Sequence, residues 1–175
     1  MRRALFVILA SVALSASAER KADIQISVAE MVGYGIFETR SSARHTGFSR
    51  SKMAADVVSG IRFTDFTNEI PGVLGTNFGF QYIINTTPRG QKLRLKSVIR
   101  FPEPGLQQPG GRLYKESIEY KQVTIGARDL HGYGFDEPWE IVPGDWVFEV
   151  WYKDARLIRK TFSVLPPATG DSEQQ

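Results

Sequence analysis

The stretch from Trp139 to Leu165 constrains the fold more than any other part of this sequence. Along Asp145 to Lys153, large apolar side chains alternate with mixed ones, as in an extended strand with one buried face. The predicted inward face carries Trp146, Phe148, Val150 and Tyr152, and the opposite face carries Val147, Glu149 and Trp151. The chain then turns and returns with Ile158, Phe162 and Val164 as its large apolar residues. Because a two-stranded ribbon is marginally stable in water, this hairpin must join a larger sheet that packs on a second layer.

Similar segments recur before the hairpin. They are rich in β-branched and aromatic residues and lie at 24–37, 61–66, 77–85, 92–101 and 113–125. Proline and glycine separate them, and none shows a long helical period. With the hairpin they make about seven strands, which predicts an all-β fold, an antiparallel β-sandwich of immunoglobulin-like type. The Cys-Trp-Cys pattern of antibody domains is absent, so the likeness concerns architecture.

Three connections between these strands are long. Residues 38–59 are polar and locally basic, which predicts a solvated loop or a mobile binding loop. Residues 102–112 hold three prolines and three glycines and predict a long turn without regular structure. Residues 127–138 predict a connection that is rich in glycine, aromatic and acidic residues.

The N-terminus has the pattern of a secretory signal peptide over residues 1–18. Arg2 and Arg3 precede an apolar run, and the small residues Ala16-Ser17-Ala18 predict cleavage after Ala18. The alternative is a membrane anchor, but the apolar run is too short to span about 30 Å of hydrocarbon. The sequence therefore predicts an exported protein, periplasmic or extracellular. It has one domain over residues 19–165 and a disordered tail over 166–175.

Charge and cysteine content restrict the function. The chain has 22 Lys and Arg against 19 Asp and Glu, and loss of Arg2 and Arg3 lowers its net charge from +3 to about +1. Non-specific nucleic-acid binding needs a larger cationic excess, so no nucleic-acid partner is expected. There is no cysteine, which excludes disulfides, thiol catalysis, Cys-ligated zinc and a lipoprotein anchor. The mature protein is predicted to be soluble, without a transmembrane segment.

The 129–140 segment carries the weak candidates for chemistry. Exposed aromatic side chains could form a sugar- or peptide-binding platform, or they could plug the end of the sandwich. These residues are His131, Tyr133, Phe135 and Trp139. A metal could use Asp129, His131, Asp136 and Glu137, although their spacing matches no known metal loop.

Other catalytic patterns are weaker still. Glu137 and Glu140 could act as the paired carboxylates of a glycosidase, or they could simply end a turn and begin a strand. His45 is isolated in the basic loop, where a solvated histidine is the better interpretation. There is no G-x-S-x-G motif and no glycine-rich phosphate loop.

The most regular charged feature is a basic stripe on the predicted strand 92–101. Its outward residues are Lys92, Arg94, Lys96 and Arg100. Like charges on alternate residues repel unless a neighbouring strand provides opposite charges, and Glu116 and Glu119 could do so. The other possibility is an anionic partner, such as an envelope polymer or lipid headgroups.

Four segments together resemble a known bacterial family. They are G-Y-G-I-F-E at 33–38, L-G-T-N-F-G-F-Q-Y at 74–82, D-E-P-W-E-I-V-P-G-D-W-V-F-E-V-W-Y at 136–152 and K-T-F-S-V at 160–164. The sequence is similar over about residues 31–166 to the family catalogued as domain of unknown function 3859. The resemblance implies a small exported or envelope β-domain with no assigned activity and no catalytic residues to transfer.

These observations favour an exported, non-catalytic β-sandwich that binds another protein or an envelope component, without a cofactor. The alternative is a metal- or carboxylate-dependent hydrolase that uses the 129–140 loop. A third possibility is a homo-oligomer that forms through an uncovered strand edge.

Overall fold

The computed structural model of the protein describes residues 28–39 and 60–167. The predicted signal peptide, Ile24 and Ile26, His45 with the rest of 40–59, and the tail from residue 168 onward lie outside these ranges. The strands are β1 (Val28–Thr39), β2 (Ile61–Asp65), β3 (Glu69–Ile70), β4 (Asn77–Asn85), β5 (Lys92–Arg100), β6 (Leu106–Gln107), β7 (Leu113–Tyr114), β8 (Glu116–Thr124), β9 (Arg128–Gly134), β10 (Gly144–Tyr152) and β11 (Ala155–Val164). A short 3-10 helix, Pro138–Glu140, precedes β10.

Two sheets form the body of the protein. One has the strand order β2-β1-β4-β9, and the other has the order β3-β11-β10-β5-β8. All pairs in these sheets are antiparallel except β3 with β11. The predicted all-β sandwich is therefore confirmed. Among the described residues, no helix has the length and hydropathy of a membrane span.

Aromatic side chains from both sheets make the core. On β4 the inward residues are Phe78, Phe80, Tyr82 and Ile84, and all are buried, as alternation predicted. The ring of Phe78 meets Trp146 and Phe148 of the opposite sheet at centroid distances of 5.7 and 5.5 Å. Near-perpendicular ring pairs of this kind add to the free energy gained by burying apolar area. Trp146 is fully buried and its indole donates to the carbonyl of Val142, whereas Trp151 lies on the other face of β10, as predicted.

Two glycines shape β1. The pairing of β1 with β4 shifts register between Met31 and Gly33, which marks a bulge. Gly35 has a φ of 124°, and a Cβ there would collide with the carbonyl of Asp65 on β2. Only glycine permits that close approach of two backbones.

Three predictions about connections were wrong. Residues 128–134 form β9, an edge strand, where a connection was expected. Glu38 and Thr39 continue β1 and pair with β2, so these two residues are not part of a loop. Within 102–112, Leu106–Gln107 forms β6, which pairs with β7. In each case a partner strand supplies backbone hydrogen bonds that the local sequence does not reveal.

Candidate functional site

The predicted basic stripe lies on the outer face of the five-stranded sheet. Here β5 runs between β8 and β10, so Lys96 has Tyr120 on one side and Trp151 on the other. We call this surface the cationic face and define it by its outward side chains. Its cations are Lys92, Arg94, Lys96, Arg100, Arg156 and Arg159, its carboxylates are Glu116, Asp145 and Glu149, and its apolar members are Ile118, Tyr120 and Trp151.

A buried carboxylate lies at the centre of the cationic face. Glu149 is on β10, and its side chain is only 4% exposed although it points away from the core. Its Oε1 lies 3.1 Å from Arg156 Nη1 and 3.9 Å from Arg159 Nε. Its Oε2 accepts a 3.1 Å hydrogen bond from the Trp151 indole and lies 3.5 Å from Arg100 Nε. Three guanidinium groups thus converge on one negative charge.

This arrangement leaves the surface with an excess of positive charge. Arg100 has a second carboxylate partner, Glu116, at 2.6 Å, but no other carboxylate of the described residues pairs with Arg156 or Arg159. Each guanidinium has five N–H donors in a rigid fork, and Glu149 cannot occupy them all. Their side chains are about half exposed, so the remaining donors face solvent. The cluster can therefore accept a further anion from outside.

Aromatic rings hold the other cations in place. The Arg94 guanidinium lies 5.0 Å from the centroid of the Tyr120 ring, and Lys96 Nζ lies 4.8 Å from that of Trp151. Such contacts are attractive and keep a charged side chain against the sheet. Tyr120 is 59% exposed and its neighbour Ile118 is 46% exposed, so the face also presents apolar surface.

Of the two carboxylates that were expected to pair with the stripe, one does so. Glu116 pairs with Arg100, as predicted. Glu119 does not pair with the cations of the stripe. It lies opposite Ser97, whose side chain is buried on the inner side of β5. The alternation along β8 places residues 116 and 119 on opposite faces.

The sequence interpretation missed the residues around Glu149. Alternation had already placed Glu149 and Trp151 on the face away from the core. The missing information was that β10 is the neighbour of β5, which brings them next to the stripe. No short-range pattern encodes that adjacency.

His131 is a core residue and does not belong to a surface platform. It lies on β9 with 7% exposure, between the rings of Phe80 and Phe148. Its Nε2 donates to the carbonyl of Val98 on the opposite sheet at 3.1 Å. Burial lowers the pKa of His131 to about 3, and the charge of Lys121 acts in the same direction. The imidazole is therefore neutral at physiological pH and fastens the two sheets together.

The other three residues of the proposed platform pack on the core. Phe135 is fully buried and, as the alternative interpretation held, plugs the end of the sandwich; Trp139 packs there half-buried. The hydroxyl of Tyr133 donates to Glu140 Oε1 at 3.0 Å. Burial, and then the charge of Glu140, raise the pKa of Tyr133. These side chains do not form an exposed aromatic surface.

The acidic candidates do not converge. Glu140 is 2% exposed, and its Oε2 accepts from the backbone N–H groups of Asp136 and Glu137 at 2.7 and 2.9 Å. Asp136 and Glu137 are themselves exposed, whereas Asp129 pairs with Lys121 at 2.5 Å. Within 28–39 and 60–167, no three His, Asp or Glu side chains are grouped to hold a metal.

The comparisons with known proteins agree with the predicted resemblance. Residues 25–164 match the family model described as Domain of unknown function (DUF3859). The chain belongs to this family. A solved structure described as an immunoglobulin-like protein from Pseudomonas aeruginosa is 27% identical with a TM-score of 0.60, and the match covers 83% of this chain and 99% of that one. No curated protein sequence matches significantly. The DUF3859 domain thus has the predicted immunoglobulin-like fold.

The buried imidazole makes the stability of this DUF3859 domain depend on pH. Below the unfolded-state pKa of about 6.5, the unfolded chain takes up a proton at His131. The folded chain does not do so until about pH 3, so stability falls across this window. Between pH 7.5 and pH 5 the wild type should lose about 2 kcal/mol more than His131→Asn.

Urea unfolding at both pH values measures this difference, and His45, present in both proteins, cancels. Parallel losses in the two proteins would contradict the assignment. So would an NMR titration in which the His131 ring of the wild type protonates between pH 7.5 and 5.

The carboxylate of Glu149 should contribute to stability through its charge. Glu149→Gln keeps the shape but leaves three arginines close together without a shared anion, so we expect a loss of about 1–3 kcal/mol. Glu103→Gln is the matched control, because Glu103 is 79% exposed in its pair with Lys115. It should cost less than about 0.5 kcal/mol. Equal unfolding free energies for the two variants would refute the central role of Glu149.

Proposed function

We propose that this DUF3859 protein is an exported, non-catalytic β-sandwich that binds an anionic component of the cell envelope through its cationic face. The sandwich acts as a rigid support, and binding takes place on the outer face of β8, β5, β10 and β11. Export supplies the compartment in which such a partner is met.

The observation that carries this proposal is the convergence of three arginines on Glu149. A lone stripe of cations is usually a solvated surface. Here one buried carboxylate fixes Arg100, Arg156 and Arg159 before any ligand arrives, so less side-chain entropy is lost on binding. The outer face of these four strands carries six cations against three carboxylates, Glu116, Asp145 and Glu149.

The proposal of a non-catalytic role is supported by the state of the 129–140 residues. Glu140 satisfies backbone donors, Asp129 neutralises Lys121 and His131 is held in the core. A hydrolase would need at least two of these groups in one cleft with access to water. The hydrolase alternative gains no support from this arrangement.

Export predicts a defined mature N-terminus. When the full-length chain is expressed in a bacterium, the protein recovered from the periplasm or medium should begin at Glu19. Intact-mass spectrometry of that fraction measures this. Recovery of the uncleaved chain from the cytoplasm alone would refute the proposal of export.

Loss of the stripe should weaken binding to envelope material. We expect Lys92→Gln, Arg94→Gln and Lys96→Gln together to reduce co-sedimentation with an isolated envelope fraction by about tenfold to a hundredfold at low salt, since each cation near an anionic surface contributes about 1 kcal/mol.

The matched control removes three exposed arginines elsewhere, Arg89, Arg112 and Arg128, by the same change to Gln. It should bind like the wild type. Equal loss in both triple variants would mean that net charge alone decides binding, and no loss in the stripe variant would exclude Lys92, Arg94 and Lys96 from the binding surface.

A further inference from the structure

We propose that the anionic component is the phosphate-bearing surface of a lipid bilayer, on which the cationic face docks. This inference rests on the proposed function and deepens it. Three features of the face carry it: open guanidinium donors, exposed apolar side chains among the cations, and the distribution of these groups over four adjacent strands.

The donors suit phosphate. A guanidinium binds phosphate oxygens through two parallel N–H bonds, and a fixed guanidinium does so with little further ordering. Arg156 and Arg159 are both held by the same oxygen of Glu149, so their outward donors lie within reach of one phosphate group. Arg100 adds a third positive charge from β5, on the other side of β10.

The apolar side chains distinguish a bilayer from a soluble polyanion. Ile118 and Tyr120 stand on β8 beside Val98 and Lys96, and both are exposed. A tyrosine can stack on a sugar ring, but an exposed isoleucine gains nothing from a hydrated polymer. At a bilayer, tyrosine settles at the headgroup level, and an aliphatic side chain gains from entering the acyl boundary. This pair is also flanked by Arg94 and Lys96, whose charges would meet anionic headgroups.

The distribution of the groups on the face agrees with an extended partner. Four adjacent strands, β11, β10, β5 and β8, present the cationic side chains, so the face spans about 14 Å across the strands at about 4.8 Å per strand. The groups that would contact lipid are distributed over this width, from Arg159 on β11 to Tyr120 on β8. A single small anion would use only the arginine end.

The test is co-sedimentation of the exported protein with vesicles. It should bind mixed phosphatidylethanolamine–phosphatidylglycerol vesicles and not phosphatidylcholine vesicles, and added salt should weaken the binding. The stripe variant described above should lose vesicle binding and binding to soluble polyphosphate together.

Ile118→Ser with Tyr120→Ser should reduce vesicle binding by about tenfold or more while leaving polyphosphate binding unchanged. Val73→Ser with Leu74→Ser is the matched control, because these apolar residues are similarly exposed away from the cationic face. It should bind vesicles like the wild type. The urea midpoint of each variant confirms that it is folded.

Four outcomes would overturn the inference. Unchanged vesicle binding in the Ile118/Tyr120 variant would mean that the face binds polyanions without inserting apolar side chains. Equal loss of vesicle binding in both apolar variants would mean that the cationic face is not the surface that contacts the bilayer. A dimer on size-exclusion chromatography that the Ile118/Tyr120 variant abolishes would make a second copy the occupant. Absence of vesicle binding, with stripe-dependent envelope binding retained, would reject the lipid surface and leave the proposed function standing.

Discussion

The outer architecture of this domain depends on one electrostatic interaction, the contact of Glu149 with three arginines. A carboxylate on the solvent side of a sheet is normally hydrated, but this one is covered by Trp151 and by the arginine side chains. Its desolvation is offset by several cations at once, and the three arginines share only two carboxylate partners, Glu149 and Glu116. A rigid positive surface results, whereas isolated surface ion pairs usually contribute little to stability and impose no order on neighbours.

The two faces of β10 have different roles in the structure. The inward residues Trp146, Phe148 and Val150 meet Phe78 and its neighbours from the opposite sheet, and this aromatic core stabilises the sandwich. The outward residues Glu149 and Trp151 position the cationic side chains of the outer face. His131 links the two systems, because its imidazole crosses the core to the carbonyl of Val98, the residue that pairs with Glu149 across β5 and β10. The cationic face is therefore built directly on the aromatic core of the sandwich.

Prediction succeeded where a strand buries one face and failed where it does not. Phe78, Phe80, Tyr82 and Ile84 recur at every second position and form one apolar face, so β4 was evident. By contrast, β9 has two glycines and an inward histidine, and the usual apolar signal is missing although the backbone is fully paired with β4. The same limit applies to the site. Lys92, Arg94, Lys96 and Arg100 could be found because they alternate on one strand. Arg156 and Arg159 could not be assigned to that face, because they come from a strand two positions away in the sheet.

Local pattern alone determined the class of fold, the inward residues of most strands, the family and the basic stripe. All of these depend on periodicity within about ten residues or on recognisable segments. Only the tertiary structure decided that β5 lies beside β10, that Glu149 is buried under arginines, and that His131 and Glu140 are structural. Burial and electrostatic pairing are set by neighbours distant in the chain, and a carboxylate or an imidazole has no fixed role until those neighbours are known.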